Sequence, residues 1–150
     1  MKSPRQAVIL LAGAGSRLGV YTECIPKCMV EVAGGPLLLR LLTQLETLGV
    51  SEAILVVGYK AEVIKAAVGK SHGKTAITYV TNEEWETTNN VVSLNLAVDL
   101  LKGDFLLLEG DLIFADGVLD RLTGGNAMAI DRFRPGMNGT VATLSATGVV

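Results

Sequence analysis

The sequence predicts an α/β domain, a mostly parallel sheet held between two layers of helices, and three observations carry that prediction. Apolar runs of strand length alternate with segments whose leucines and valines recur at helical spacing. Hydrophobic residues make up 49% of the chain against 19% charged, the balance of a sheet buried on both faces and not of a disordered polypeptide. At 150 residues the chain holds one well-buried core and is too short for two ordinary domains.

The elements follow in order. Gln6 to Leu11 is a continuous apolar run that enters glycines at Ala12-Gly13, as a central parallel strand does when it opens into a ligand-facing loop. Gly34-Gly35-Pro36 punctuates the chain. Pro36 then sits at the start of a helix whose apolar positions are Leu37, Leu38, Leu41, Leu42, Leu45 and Leu48, with Gly49 as its C-terminal cap. Ala53 to Val57 reads as a second buried strand. Lys60 to Val68 reads as an amphipathic helix ended by Gly69, and Ala76 to Val80 as a third strand. Asn82 to Asn89 is polar and reads as loop, after which Asn90 to Leu101 resumes a helical pattern. Phe105 to Glu109 is the next buried strand and runs into Gly110-Asp111. Asp116 is expected to cap a short helix through Leu122, and Ala127 to Ile130 and Thr140 to Leu144 are expected to be strands joined by residues 132–138. Such alternation implies a three-layer α/β/α sandwich with right-handed crossovers. Strand-like residues continue to Val150 without a closing helix, so the sheet reads as interrupted and the chain as the truncated front part of a longer protein.

Several function classes fall away on composition. Thirteen basic against fifteen acidic residues give a formal charge of −2, too little for a protein whose affinity rests on neutralising a phosphate backbone, so nucleic acid is not expected as a partner. The longest apolar runs are strand-sized, and neither a spanning helix nor a secretion signal is visible, so no membrane association is expected. Cys24 and Cys28 form a lone CxxxC that cannot complete a tetrahedral zinc site, and they read as reduced thiols of a cytoplasmic protein. His72 lies in the polar stretch Gly69 to Lys74 and reads as a solvated turn residue.

Chemistry concentrates in the first loop, Leu11-Ala12-Gly13-Ala14-Gly15-Ser16-Arg17-Leu18-Gly19, followed by Pro26-Lys27. Small residues let backbone N–H groups approach phosphate oxygens, Arg17 offers a planar multidentate phosphate ligand, and Lys27 offers a compact cation. A dinucleotide-binding fingerprint would need glycine where Leu18 stands, and a Walker loop would need a closing Gly-Lys-Ser/Thr that is absent. A plain strand-to-helix turn accounts for the glycines but not for Arg17 and Lys27 together.

Residues 10–27 resemble the signature of the sugar-phosphate nucleotidyltransferase superfamily, usually L-A-A-G-x-G-S/T-R-L followed by P-K, with Lys27 on the family's lysine. Leu11 departs from the usual alanine, and its larger side chain either tightens the wall near the base or faces the core. Val56-Val57-Gly58-Tyr59 and Glu109-Gly110-Asp111 are similar to the family's second strand end and metal-binding turn, so the likeness covers nearly the whole chain. It implies a Rossmann-like nucleotide-diphospho-sugar transferase fold, with residues 1–150 as the N-terminal, nucleotide-binding portion of a single domain. It also implies Mg²⁺ as cofactor, held by Asp111 against the nucleotide phosphates. A carboxylate at the carboxyl end of a central strand suits that task, and magnesium favours one or two carboxylates plus phosphate and water. The bland alternative makes Asp111 a turn residue after Gly110.

Sugar-nucleotide synthases of the superfamily commonly place a glutamine and a G-T pair where this chain has Asn82 and Thr87-Thr88-Asn89-Asn90-Val91-Val92-Ser93-Leu94. The segment is similar instead to the N-N-x-x-S-L pattern of phosphocholine and aminoethylphosphonate cytidylyltransferases, as is Asp131 followed by Met137-Asn138-Gly139-Thr140-Val141. CTP and a small phosphorylated or phosphonate acceptor are therefore the expected substrates. Asn82, Thr88, Asn89 and Asn90 join Leu11, Ala12, Gly13, Ala14, Gly15, Ser16, Arg17 and Lys27 as nucleotide-binding candidates, with Arg17, Lys27 and Asp111 as the catalytic set. Asparagine can read a cytosine edge, and equally Asn89 or Asn90 can cap the following helix. Glu83, Glu84 and Glu86 read as a solvated loop face and Trp85 as packing against it. The resemblance puts the acceptor pocket and a second metal-binding acid beyond residue 150, and it leaves a homodimer open. Two alternatives stand beside this reading: a sugar-1-phosphate nucleotidyltransferase using UTP, dTTP or GTP, and a non-catalytic nucleotide-binding module.

Overall fold

The computed structural model describes residues 4–137, 142–143 and 145–146. Five strands form one sheet: β1 (Gln6–Leu11), β2 (Glu52–Val57), β3 (Ser71–His72), β4 (Thr75–Thr81) and β5 (Phe105–Glu109), in the spatial order β3-β4-β2-β1-β5. β1, β2, β4 and β5 run parallel, with Val8 opposite both Ile54 and Leu107. The short β3 is antiparallel to β4 across a turn at Gly73, an edge hairpin inside the stretch read from sequence as an irregular turn.

Period-two alternation sends the strand side chains to two separate cores. Ala7, Ile9, Leu11, Ala53, Leu55 and Val57 face one way, against Leu38, Leu41, Leu42 and Leu45 of α1 (Leu37–Leu48) and Ile64 and Val68 of α2 (Ala61–Val68). Val8, Leu10, Ile54 and Val56 face the other way, against Ala97 and Leu94 of α3 (Asn90–Ala97). Helices thus cover both faces, and the three-layer sandwich expected from the sequence is the observed one. Gly49 ends α1 in the left-handed conformation, its N–H bonded to Leu45 and Glu46 carbonyls.

Several expectations are corrected. The predicted helix over 90–101 stops at Ala97 and tightens into a 3₁₀ turn at Val98–Leu100. Asp116 caps nothing: a 3₁₀ turn at Leu119–Leu122 begins after Val118, two residues beyond it. Ala127 to Ile130 is not a strand, because β5 pairs only with β1 among the described residues and no neighbour takes up the ladder, which leaves Met128 and Ile130 exposed. Most of the expected strand Thr140 to Leu144 lies outside the described residues. His72 is half-buried, with its Nε2 2.9 Å from Thr43 Oγ1 on α1, and so braces the β3 edge where a solvated turn was expected.

The topology marks one end of the sheet. From β1 the chain steps through β2 to β4 on one side and returns as β5 on the other, so the strand order reverses at β1. In open α/β sheets ligands bind outside the carboxyl ends of the strands at such a reversal. Here those ends carry the 11–19 loop and Glu109-Gly110-Asp111.

Candidate active site

The loop after β1 folds as the glycines require. Ala12 is buried and its carbonyl accepts from Tyr59 N–H at 2.9 Å, tying the loop to the end of β2. Gly13 is exposed with open space where a side chain would be. Gly15 adopts φ +66°, and a Cβ there would lie 2.8 Å from Lys27 Cβ. Glycine is needed at 15 twice over, for the left-handed backbone and for the lysine stem that passes against it. Ser16 opens a 3₁₀ segment, Ser16–Thr22, on which Arg17 stands exposed. The segment is pinned by Thr22, whose hydroxyl donates to the Gly15 and Gly19 carbonyls at 3.2 Å. Tyr59 holds it from outside, its hydroxyl donating to the Thr22 and Glu23 carbonyls at 3.0 and 3.2 Å. The tyrosine ring in turn meets Trp85 edge-on at 5.3 Å. Trp85 packs in the loop layer, as expected.

Lys27 begins a second 3₁₀ turn, Lys27–Met29, and its ammonium forms an ion pair with Asp111 across 84 residues of sequence. Each of the two side chains is 36% exposed, so the pair is open to solvent and to an incoming ligand. The cation of the first loop and the carboxylate after β5 therefore meet at one point, over the carboxyl ends of adjacent strands β1 and β5. Glu109, the last residue of β5, stands beside them. Desolvation raises its pKa above the ordinary value and Asp111's charge adds to the rise, while a hydrogen bond from Asn90 and the Lys27 charge oppose it. Among the described residues no group of three or more His, Cys, Asp or Glu side chains gathers around a metal position. The donor set at this point, one exposed carboxylate with a second two residues away, fits a hard ion that takes its remaining oxygens from phosphate and water.

Leu11 is buried in the core, with its side chain against Gly110. Its family departure is thus a packing matter. The asparagines divide sharply. Asn82 is 3% exposed: its Nδ2 donates to Thr88 Oγ1 at 2.9 Å and Ser93 Oγ at 3.1 Å, and its Oδ1 accepts from Glu84 N–H at 3.0 Å. That amide, expected to face a base, ties the loop together and to Ser93 of α3. Thr88 is also engaged, donating to the Glu84 carbonyl at 2.8 Å. Asn89 takes the helix cap, its Oδ1 accepting from Val91 and Val92 N–H at 3.1 and 3.4 Å. Asn90 does neither. It is exposed, and its Nδ2 donates to Glu109 Oε1 at 2.7 Å. Sequence reasoning quoted Glu109 and Tyr59 within their motifs without giving either a role. The signal for Glu109 was a second carboxylate two residues before Asp111.

Residues 7–129 match the family profile of the MobA-like NTP transferase domain. The chain belongs to that family. It is 41% identical over 150 residues to CMP-5'-(3-aminopropyl)phosphonate synthase of Streptomyces rubellomurinus, a match covering 98% of this chain and 24% of that protein. It is 40% identical over 109 residues to UTP--glucose-1-phosphate uridylyltransferase AglF of Haloferax volcanii, covering 73% of this chain and 44% of the relative. Among solved structures, CTP:phosphocholine cytidylyltransferase from Streptococcus pneumoniae superposes with a TM-score of 0.63 at 32% identity, covering 71% of this chain and 45% of that one. The chain thus spans about a quarter to under half the length of these relatives. No helix among the described residues is long and apolar enough to cross a membrane.

Proposed function

We propose that this chain carries the donor-nucleotide site of a Mg²⁺-dependent cytidylyltransferase that transfers CMP from CTP to a small phosphorylated or phosphonate acceptor. The observation that carries the reading is the meeting of Lys27 and Asp111 at the strand-order reversal. An acceptor oxygen attacks the α-phosphorus of CTP in line; the new P–O bond forms as the bond to the bridging oxygen breaks, and pyrophosphate departs. No protein nucleophile is needed, because the acceptor is already anionic at neutral pH. Backbone N–H groups of Gly13, Ala14 and Gly15 and the Ser16 hydroxyl receive phosphate oxygens, and Arg17 reaches the β- and γ-phosphates. Lys27 lies between α-phosphate and acceptor, so alignment and charge neutralisation supply the rate. Mg²⁺ held by Asp111 would add positive charge against the same phosphates. The cytidylyl assignment draws support from the Asn89-Asn90 pair and from the CMP- and CTP-named relatives. The free thiols Cys24 and Cys28 suit a reducing, cytoplasmic setting.

The uridylyltransferase relative favours one competing reading, the same loop and Asp111 serving UTP and a sugar 1-phosphate. Calorimetry with Mg²⁺ present separates the two. CTP is expected to bind on the order of tenfold more tightly than UTP; equal affinity, or tighter binding of UTP or a purine nucleotide, overturns the cytidylyl reading. Tight CTP binding without turnover of any acceptor by the full-length protein would instead identify a nucleotide-binding module.

A further inference from the structure

We infer that Glu109 is a specificity-determining residue, whose carboxylate locks the Asn90 amide in one orientation and so makes it a hydrogen-bond acceptor for the exocyclic amine of cytosine. The inference rests on the cytidylyl reading, with the start of α3 facing the base.

An asparagine amide is two-sided: its carbonyl accepts, its NH₂ donates, and a half-turn exchanges them. Cytosine carries an amine at the position where uracil carries a carbonyl. An amide free to rotate would therefore meet either base equally well. Asn90 is not free, because its Nδ2 lies 2.7 Å from Glu109 Oε1. An ionised carboxylate has lone pairs and no hydrogen, so the NH₂ must be the side that faces it, and the bond is charge-assisted. Oδ1 is thereby turned away from the carboxylate as the edge left for a ligand. The reversed amide would set oxygen against carboxylate oxygen, losing the bond and adding repulsion.

Both ends of the lock are fixed by the fold. Glu109 is the last residue of β5, in register with Leu10 of β1. Asn90 is the first residue of α3, directly after the capping Asn89. The other two candidate asparagines present no such edge, since the Asn82 amide is spent on Thr88, Glu84 and Ser93 and the Asn89 oxygen on the helix N-terminus. Asp111 follows Glu109 by two residues, so one strand end would orient both the base and the phosphates.

The test is calorimetric binding of CTP and UTP, with Mg²⁺, to the wild-type chain and to E109Q, N90A and the double variant. The glutamine of E109Q matches glutamate in shape but can donate as well as accept, which frees the Asn90 amide to rotate. The expected result is that the CTP preference of about tenfold falls to within about twofold of unity, with UTP binding becoming tighter in E109Q than in the wild type. A gain for UTP is not a consequence of structural damage. In the N90A background E109Q should change the ratio no further. Unchanged discrimination in E109Q, equal weakening of both nucleotides, or a full E109Q effect in N90A would each overturn the lock. A wild type that does not prefer CTP overturns the cytidylyl reading and the lock with it, whereas a wild-type preference that survives in E109Q overturns the lock alone.

Discussion

The Leu11 side chain occupies the space beside Gly110 that a Cβ at 110 would enter, so the end of β1 and the turn that presents Asp111 are fitted to one another. A Cβ there would also lie 3.2 Å from the Leu10 carbonyl oxygen. G110A is therefore expected to overpack this junction and cost about 1 to 3 kcal/mol. L11A removes the obstructing atoms, and the L11A/G110A double variant should recover most of the loss attributable to that contact. Urea denaturation of the four proteins gives the coupling as a double-mutant cycle; additive effects would separate the two residues.

In the proposed reaction Lys27 stands where charge redistributes as the α-phosphorus changes partners, and a cation in that place acts mainly on the transition state. K27A in the full-length enzyme is expected to lower kcat by about 10² to 10³-fold while changing the nucleotide Kd far less. Steady-state kinetics with a separate nucleotide titration checks this. A kcat within a factor of about two of the wild type removes Lys27 from the reaction.

Asp111 and asparagine share a shape but not a charge. D111N is expected to abolish Mg²⁺-dependent activity while leaving the circular dichroism spectrum and melting temperature near those of the wild type. Its ion pair with Lys27 is solvent-accessible, and pairs of that kind contribute about 0 to 1 kcal/mol. Wild-type activity at ordinary Mg²⁺ would end the assignment.

β1, β2, β4, β5, α1 and α2 were legible in the sequence because each is set by its own periodicity, and leucines at 38, 41, 42 and 45 place α1 whatever surrounds it. Loop chemistry was half legible. Gly15 and Lys27 could be named, but their contact depends on a backbone turn that no spacing encodes. The asparagines were least legible, since Asn82, Asn89 and Asn90 have the same side chain and only the three-dimensional neighbours decide which amide organises a loop, caps a helix or meets Glu109. The expected strand at Ala127 to Ile130 failed for a related reason, because an apolar run becomes a strand only where another strand pairs with it.

That division of labour predicts different costs. N82A deletes three hydrogen bonds that are inside the fold and leaves Ser93 and Thr88 without their amide donor, so it should destabilise by about 1 to 3 kcal/mol. N90A deletes an exposed bond and should cost less than about 0.5 kcal/mol. Thermal or urea melts of the two variants check the ordering, and equal losses would contradict it.

The two cysteines, four residues apart, are expected to differ by environment. Cys24 is exposed and Cys28 is buried. Burial pushes the Cys28 thiol from 9.0 up to about 12, a backbone hydrogen bond opposing the rise and Asp111's charge adding to it. The thiolate is the reactive form, so at neutral pH Cys28 is both screened and almost wholly protonated. Iodoacetamide at pH 7.5 to 8 should modify Cys24 alone in the folded protein and both residues in denaturant, read by peptide mass spectrometry. The same shift has a stability consequence. The folded state holds the Cys28 proton more tightly than the unfolded chain, so this contribution is complete below pH 9.0 and is lost as pH rises toward about 12. Alkaline melts of C28A should then fall less steeply across that window than those of the wild type. Rapid alkylation of Cys28 in the folded protein at neutral pH would show that the turn carrying Lys27 opens readily, and that the lysine is not held in place before the nucleotide arrives.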